Sequence, residues 1–398
     1  MLEACIEFAQ RLIRVPSLPG AEAEIAALVL RELESLGFDR VWRDEAGNVL
    51  ACIEGGGSAP PIMFNAHLDH VDPGDPAVWP SPPYAGELRE GHVIGRGAVD
   101  IKGPLAAQVH ALGGISRSGA RPPGDVYFTA VVQEEVGGVG AVHLAKQHRF
   151  DYVVVGEPSG NQLRRGHRGR VELVLHVRGR SCHASVPSQG VNALEIAARF
   201  IAALDGGTVH RRHEELGPST VAPTRIRTDQ ESANVIPGEA WVTCDWRMVP
   251  GETPSGIRDD LQALAERCRR EGRGEVEVSI DEQERVSYTG YRCRMMTAHP
   301  AYLLSSDHPA VSAAFRILRE SIGQKGPPGV WRFATDGGHF AEAGMTVLGF
   351  GPGDDQEAHT VGESIEIAQL EGALVGNREL AFRLPLEAGK GVSTPGSF

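Results

Sequence analysis

Short apolar runs in this chain lead repeatedly to a histidine or a carboxylate. Ile62-Met63-Phe64 runs to His67-Leu68-Asp69, Val126 to Val132 runs to Glu134-Glu135, and Tyr152 to Val155 runs to Glu157. Asp100 closes the stretch GHVIGRGAVD, and His359 lies in the loop after Met345 to Phe350. Such runs, rich in Val and Phe, read as buried strands. Helix-like stretches at 103–117 and 138–147 separate them. The alternation predicts an α/β domain with a mixed, largely parallel sheet. In such sheets ligands gather beyond the carboxyl ends of the strands. The strands would then deliver metal ligands to one rim, which points to a zinc or cobalt hydrolase.

The flanking segments fit the same plan. Residues 3–14 and 21–36 read as helices, the second with a stripe of Ile25, Leu28, Val29, Leu33 and Leu36 before Gly37. Val41–Trp42 and Val49–Ile53 read as short strands. GGGSAPP after Glu54 is a turn, because no strand-loop-helix pattern with Lys-Ser/Thr follows it. From about Arg168 the pattern changes to strict alternation, with Val171, Leu173, Leu175 and Val177 on one face. A helix over 191–204, strands near 219–227 and 240–247, a helix near 256–270 and a strand at 275–281 follow. That βαββαβ order predicts an inserted ferredoxin-like α+β domain. The expected division is 1–168, the first part of a metal-binding catalytic domain, then 169–288, the insertion, then 289–398, the second part. The third segment opens with a helix near 308–322.

A paired-metal hydrolytic site holds two divalent ions about 3.5–4 Å apart, with one bridging oxygen ligand and terminal ligands on each ion. His67, Asp100, Glu135, Glu157 and His359 supply such a set: with Asp100 bridging, two donors remain for each ion. Zinc accepts histidine and carboxylate, while cobalt and manganese also suit carboxylate-rich sites. Asp69 stands two residues after His67, on the same side of an extended segment, and can accept the second imidazole N–H. If Glu135 coordinates, Glu134 is free to act as general base on the attacking water. Each motif alone has an ordinary reading. His-x-Asp is common in surface turns, Glu-Glu in solvated helices, and Gly137-Gly138-Val139-Gly140 suits a helix entry. Their shared placement after strands is what favours the metal site.

Composition narrows the partners. The formal net charge is −13 and no Lys/Arg-rich tract occurs, so neither nucleic acid nor an anionic membrane is an expected partner. The acidic balance also argues against a two-metal phosphatase or nuclease. No apolar run approaches the length of a membrane span. The opening MLEACIEFAQRLIRVPS reads as an amphipathic helix, not a signal peptide. The cysteines, Cys5, Cys52, Cys182, Cys244, Cys268 and Cys293, are scattered without a C-x-x-C pair. Neither a disulfide framework nor a thiolate zinc site is indicated, and a reducing cytoplasm is the simplest setting.

The motifs HLDHVDPGDPAVWPSPP, GHVIGRGAVDIKG, VVQEEVGGVG, VVGEPSG and GFGPGDDQEAHTVGESI, in that order, resemble the dizinc amidohydrolase/exopeptidase family. That family includes acetylornithine deacetylase, succinyl-diaminopimelate desuccinylase, aminoacylase and the glutamate carboxypeptidases. The resemblance covers nearly the whole chain. It implies that His67 and Glu157 bind one metal, that Glu135 and His359 bind the other, and that Asp100 bridges them. It implies that Asp69 orients His67, that Glu134 is the acid/base, and that the Asp100–Ile101 peptide is cis. It further implies that the insertion is a lid through which the protein forms a homodimer. In RGRSCHASVPSQGVNA, His183 matches the lid histidine that stabilises the oxyanion, often in the partner subunit's site. Asn234 in SANVIPG and Arg247 in CDWR match positions that contact substrate carboxylate or carbonyl. Cys182 is not a convincing nucleophile, since no separate base is indicated and the family uses water.

One departure bears on the substrate. ATDGGHF (334–340) resembles the Ser-Asp-Gly-Arg-Phe of desuccinylases without its arginine, and His339 stands nearby as a substrate contact instead. VWRFATDGGHF and GYRCRMMTAHPAYLL look closer to a deacylase branch that shares the acetylornithine deacetylase label. The expected activity is hydrolysis of the amide of an N-acyl amino acid by water at the metals. A dipeptidase or carboxypeptidase is the alternative, with desuccinylation behind it. A non-catalytic binding protein would need a broken ligand set, and the set here is complete.

Overall fold

The structure is a computed structural model that describes residues 1–207 and 210–389. The chain forms two compact units. The first comprises residues 1–167, 284–293 and 303–398, of which 390–398, the end of the third expected segment, lie outside the described residues. The second comprises 168–283 and 294–302. The expected boundary at 288 is thus not where the units divide. Residues 284–293 pack with the first unit, where the Tyr288 hydroxyl donates to the Gly47 carbonyl at 2.7 Å. Residues 294–302 rejoin the second, because Ala298–His299 pairs with Gly169–Arg178 as an added edge.

The first unit is built on a mixed sheet. From one edge its strands run Arg40–Arg43, Val49–Ile53, Val126–Val131, Ile62–His67, Tyr152–Val155, Thr346–Gly349 and Arg164–His167. Four neighbours in the middle, Val126–Val131, Ile62–His67, Tyr152–Val155 and Thr346–Gly349, are mutually parallel. Their largely apolar sequences follow from that position: every residue of Ile62–His67 is buried, as is proper to a parallel strand covered on both faces. The edge strand Arg40–Arg43 keeps its arginines exposed. Because the four middle strands point the same way, their carboxyl ends open at one rim.

Helices cover the sheet. Leu2–Ile13 buries Cys5, Phe8, Ala9, Leu12 and Ile13, one stripe of its surface. Ala23–Leu36 buries the stripe read from sequence and stops at Gly37, whose φ of 79° is left-handed. A side chain there would cost about 1 kcal/mol or more. Gly103–Ser118 is buried along most of its length. The helix Ile367–Gly389, which the sequence reading did not identify, packs Leu370, Ala373, Leu374, Leu380, Ala381 and Leu384 into the same core as Pro309–Ile322.

The second unit is the expected ferredoxin-like α+β fold. Its elements run Gly169–Arg178, Ala193–Gly207, Thr220–Thr228, Glu239–Met248, Pro254–Cys268 and Glu275–Ile280. The sheet order is Thr220–Thr228, Glu239–Met248, Gly169–Arg178, Glu275–Ile280, antiparallel throughout. Val171, Leu173, Leu175 and Val177 face its core with Ile196, Phe200, Leu261 and Leu264 from the helices.

Candidate active site and metal centre

The middle strands and the turn ahead of the Gly103–Ser118 helix bring the candidate ligands of the first unit to one place. His67 ends its own strand, and Glu134–Val136 is a single tight turn after Val126–Val131. Glu157 follows Tyr152–Val155, and His359 follows Thr346–Gly349 in a loop where its φ is 63°. Asp100 sits in an irregular turn ahead of the Gly103–Ser118 helix. The Asp100–Ile101 peptide is cis, as the resemblance implies.

Asp100 lies at the middle of the cluster. Its Oδ1 is 3.0 Å from His67 Nε2, and its Oδ2 is 3.1 Å from His359 Nε2. Glu157 Oε1 lies 3.6 Å from His67 Nε2, and Glu135 Oε1 lies 3.1 Å from His359 Nε2. One carboxylate therefore presents each of its oxygens to a different imidazole, with a second carboxylate on each side. Nδ1 of His67 is 2.9 Å from the Asp69 carbonyl oxygen, which can only accept. The proton therefore belongs on Nδ1, and the Nε2 lone pair faces Asp100 and Glu157. A lone pair held among carboxylate oxygens needs a cation between them. Burial works against a charged ring, but Asp100, Asp69 and Glu157 hold the His67 imidazole well above its usual range.

Asp69 differs in detail from the expectation. Its carboxylate is 3.5 Å from His67 Nδ1, and the closer acceptor is its own backbone carbonyl. The carboxylate oxygens are taken by two backbone donors, the N–H groups of Glu134 at 3.0 Å and Glu135 at 3.1 Å. Asp69 thus orients the histidine through its main chain and fixes the Glu134-Glu135 turn through its side chain. Asn48 braces the same turn: its Oδ1 accepts from Val132 N–H at 3.0 Å and its Nδ2 donates to the Gly140 carbonyl at 3.0 Å.

The electrostatics are those of a site built for cations. Burial, with the neighbouring acids, pushes Glu134, Glu135 and Glu157 above the usual carboxylate range. Asp100 goes the other way: burial would raise it, but the two imidazoles hold it well below. His359, hydrogen-bonded by Asp100 and Glu135, is raised to about 10. Isolated buried charge is costly, so this many acids in one buried place fit bound divalent ions. The donor set, imidazole nitrogens and carboxylate oxygens, is one zinc accepts.

Two further residues frame the centre. Asp336 is buried, its carboxylate oxygens find no hydrogen-bond donor among the described residues, and burial pushes it up to about 7. Sequence reading passed over it because one Asp in a Gly-rich loop carries no periodicity. His339, expected as a substrate contact, lies on the short Gly337–Glu342 helix and is lowered to about 4 by burial, so it is a neutral imidazole. Both close on Gly138, where a Cβ would stand 2.6 Å from Asp336 Oδ1 and 2.9 Å from His339 Nε2. Gly138, with φ 80°, therefore lets the turn after Glu135 pass beneath them.

His183, Asn234 and Arg247 belong to the second unit. His183 and Asn234 share a small ribbon: Cys182–His183 pairs with Val235–Ile236, and Ala184 N–H donates to the Asn234 carbonyl at 2.9 Å. His183 is exposed, and its Nδ1 accepts from Ser185 N–H at 3.1 Å, which places the proton on Nε2. Arg247 lies on the central strand Glu239–Met248 and donates through Nε to Asp245 at 2.7 Å. Asp245 also accepts from Arg170 at 2.5 Å, so Arg247 shares its carboxylate.

A parallel-centred α/β sheet whose strand ends gather two imidazoles and several buried carboxylates defines the class of metal-dependent hydrolases. Residues 63–376 match the model of peptidase family M20/M25/M40, and the chain belongs to that family. It is accordingly a hydrolase of the metallopeptidase and amidohydrolase kind. The chain is 30% identical over 362 residues to the uncharacterized protein YgeY of Escherichia coli (strain K12), covering 89% of this chain and 88% of that one. It is 27% identical over 381 residues to a succinyl-diaminopimelate desuccinylase of Dechloromonas aromatica (strain RCB), covering 93% and 96%. Its fold is similar to that of aminopeptidase PepT from Bacillus cereus, with a TM-score of 0.78 at 20% identity over 98% and 99% of the two chains. No helix among the described residues is long and apolar enough to cross a membrane.

Proposed function

We propose that the protein hydrolyses the amide bond of an N-acyl amino acid, in the manner of acetylornithine deacetylase, using two divalent ions that are zinc in the first instance. The observation that carries this reading is the placement of Asp100 between His67 and His359, at 3.0 and 3.1 Å, with Glu134 beside them and not engaged in that contact. His67 and Glu157 would hold one ion and Glu135 and His359 the other, with Asp100 common to both. When bound, such ions polarise a carbonyl and make water more acidic.

The protein's own groups do the rest. Glu134 is buried and accepts no hydrogen bond through its side chain among the described residues. Burial and the acids around it raise its affinity for a proton. It takes a proton from the attacking water as the new C–O bond forms. It gives that proton to the amide nitrogen as the C–N bond breaks, leaving a carboxylic acid and a free amine. His183, whose Nδ1 accepts from Ser185 N–H, has Nε2 left as a donor suited to the developing oxyanion. The second unit is read as the lid and as the surface through which a homodimer forms. His183→Ala is expected to lower kcat about 100-fold or more while bound metal is unchanged. An unchanged kcat would leave the histidine a purely structural role.

Desuccinylation is the second reading, and the Dechloromonas relative favours it. The residues at 334–340 count against it, since they supply no arginine to face a succinyl carboxylate. The deciding experiment is a hydrolysis panel with zinc and with cobalt. It sets N-acetyl, N-succinyl and N-formyl amino acids beside dipeptides. A clear preference for N-acetyl substrates supports the first reading. A preference for dipeptides or for N-succinyl-diaminopimelate replaces it.

A further inference from the structure

Glu363 is wholly buried four residues after His359, and its carboxylate takes four donors. Oε1 accepts from the backbone N–H groups of Val99 at 2.8 Å and Asp100 at 2.9 Å. Oε2 accepts from Gly97 N–H at 3.1 Å and from Arg96 Nη1 at 2.6 Å. Arg96 is buried as well, and its Nη2 reaches the His359 carbonyl at 3.5 Å. Its guanidinium lies 5.0 Å from the centre of the Trp79 ring. The chain on either side is paired: Gly95 N–H donates to the Glu363 carbonyl at 2.9 Å, and Ser364 pairs with Ile94.

The strap from Gly97 to Asp100 needs such a partner. It precedes the Gly103–Ser118 helix in irregular backbone, with Gly97 at φ 80° and Asp100 at φ −121°, ψ 87°. Its N–H groups therefore meet neither a strand neighbour nor a helical carbonyl. Buried backbone donors left unpaired are costly, so the carboxylate that accepts them fixes where the strap lies. Arg96 balances the buried charge. The same glutamate belongs to the segment that carries His359. One side chain thus ties the central carboxylate of the cluster to one of the imidazoles it faces.

We propose that Glu363, held by Arg96, is a positioning residue that sets Asp100 against His359 and thereby the affinity of the paired site for its ions. It touches no reacting atom, and the inference rests on the two-ion reading above. Glu363→Gln leaves one acceptor oxygen and turns an NH2 group toward donors that need an acceptor.

The test is calorimetric titration of the metal-free full chain with zinc, alongside cobalt titration followed by visible absorption. Glu363→Gln should keep its far-UV circular dichroism and bind zinc about 10- to 100-fold more weakly. Its cobalt spectrum should change, and kcat should recover toward wild type at saturating metal. Wild-type affinity and an unaltered cobalt spectrum in the folded variant would overturn the proposal, as would a low kcat that excess metal does not restore. If Glu363→Gln does not fold, Arg96→Lys is the readout, since it keeps the carboxylate and its three backbone donors. Weaker zinc binding by that variant supports the proposal, and unchanged binding overturns it. A wild-type chain that bound fewer than two ions would instead remove the two-ion reading, whatever the variants did.

Discussion

Glu134→Ala is expected to lower kcat by about 10²- to 10⁴-fold, the range general acid–base catalysis contributes, while the protein keeps its full complement of metal. The side chain lies in the cluster but apart from the contacts that join Asp100, His67 and His359. The hydrogen bonds of Glu134 are those of its backbone, the N–H to Asp69 and the carbonyl from Gly137 N–H. Deleting the carboxylate therefore removes the proton carrier and spares the donors. The metal-free variant should also melt a few degrees higher, because a carboxyl that is costly to bury, and that stands among Asp336, Glu157 and Glu135, has been taken away. Metal content by mass spectrometry, kcat and thermal melting decide the matter together. Loss of metal along with activity would move Glu134 into the ligand set. Activity close to wild type would end its assignment as the base.

Asp100→Asn is expected to do the opposite, stripping both ions and with them all measurable activity. Each Asp100 oxygen faces a different imidazole, so no single-ion site survives its neutralisation intact. The loss of affinity should exceed the roughly 10- to 100-fold that removing an outer hydrogen-bond partner causes. The wild-type titration has a pH signature of its own. Hydrogen bonds to Asp100 and Glu135 raise His359 to about 10, so an incoming ion competes with a proton there at neutral pH. Zinc binding should release protons, and apparent affinity should rise with pH up to about 10. The same linkage makes the metal-free fold lose the His359 contribution as pH climbs from the ordinary histidine range toward that value. Titration calorimetry in buffers of different ionisation enthalpy measures the proton count. An Asp100→Asn protein that still bound two ions tightly would remove the bridging role.

Much of the fold was legible along the chain. Runs such as Tyr152 to Val155 and Val126 to Val132 are mostly apolar because the strands are largely buried on both faces, and such runs are visible without coordinates. The alternation over 171–177 announced a one-sided sheet, and the βαββαβ order followed. The helix Ile367–Gly389 escaped, although its buried residues recur at helical spacing. Gly372, Gly376 and Pro385 interrupt its composition, and its stability comes from packing with Pro309–Ile322. The end of the insertion was misplaced because Ala298–His299 is only two residues long. Pairing with Gly169–Arg178, more than a hundred residues earlier, gives it its place.

The site divides in the same way. Residue type and position after a strand were enough to point to His67, Glu135, Glu157 and His359 as candidates, because a sheet with parallel neighbours sends its carboxyl ends to one rim; Asp100 reaches them from an irregular turn ahead of a helix. Which atom of Asp69 meets His67 is a matter of competition: two backbone N–H groups claim its carboxylate, and the histidine takes the carbonyl. Glu363 and Arg96 could not be read as a pair, being 267 residues apart in the chain. Sequence alone determined the chemistry available at the rim, since that depends on which side chains the strands end with. Only the tertiary structure decided how those side chains are held, since hydrogen bonds between distant segments exist only once the chain has closed on itself.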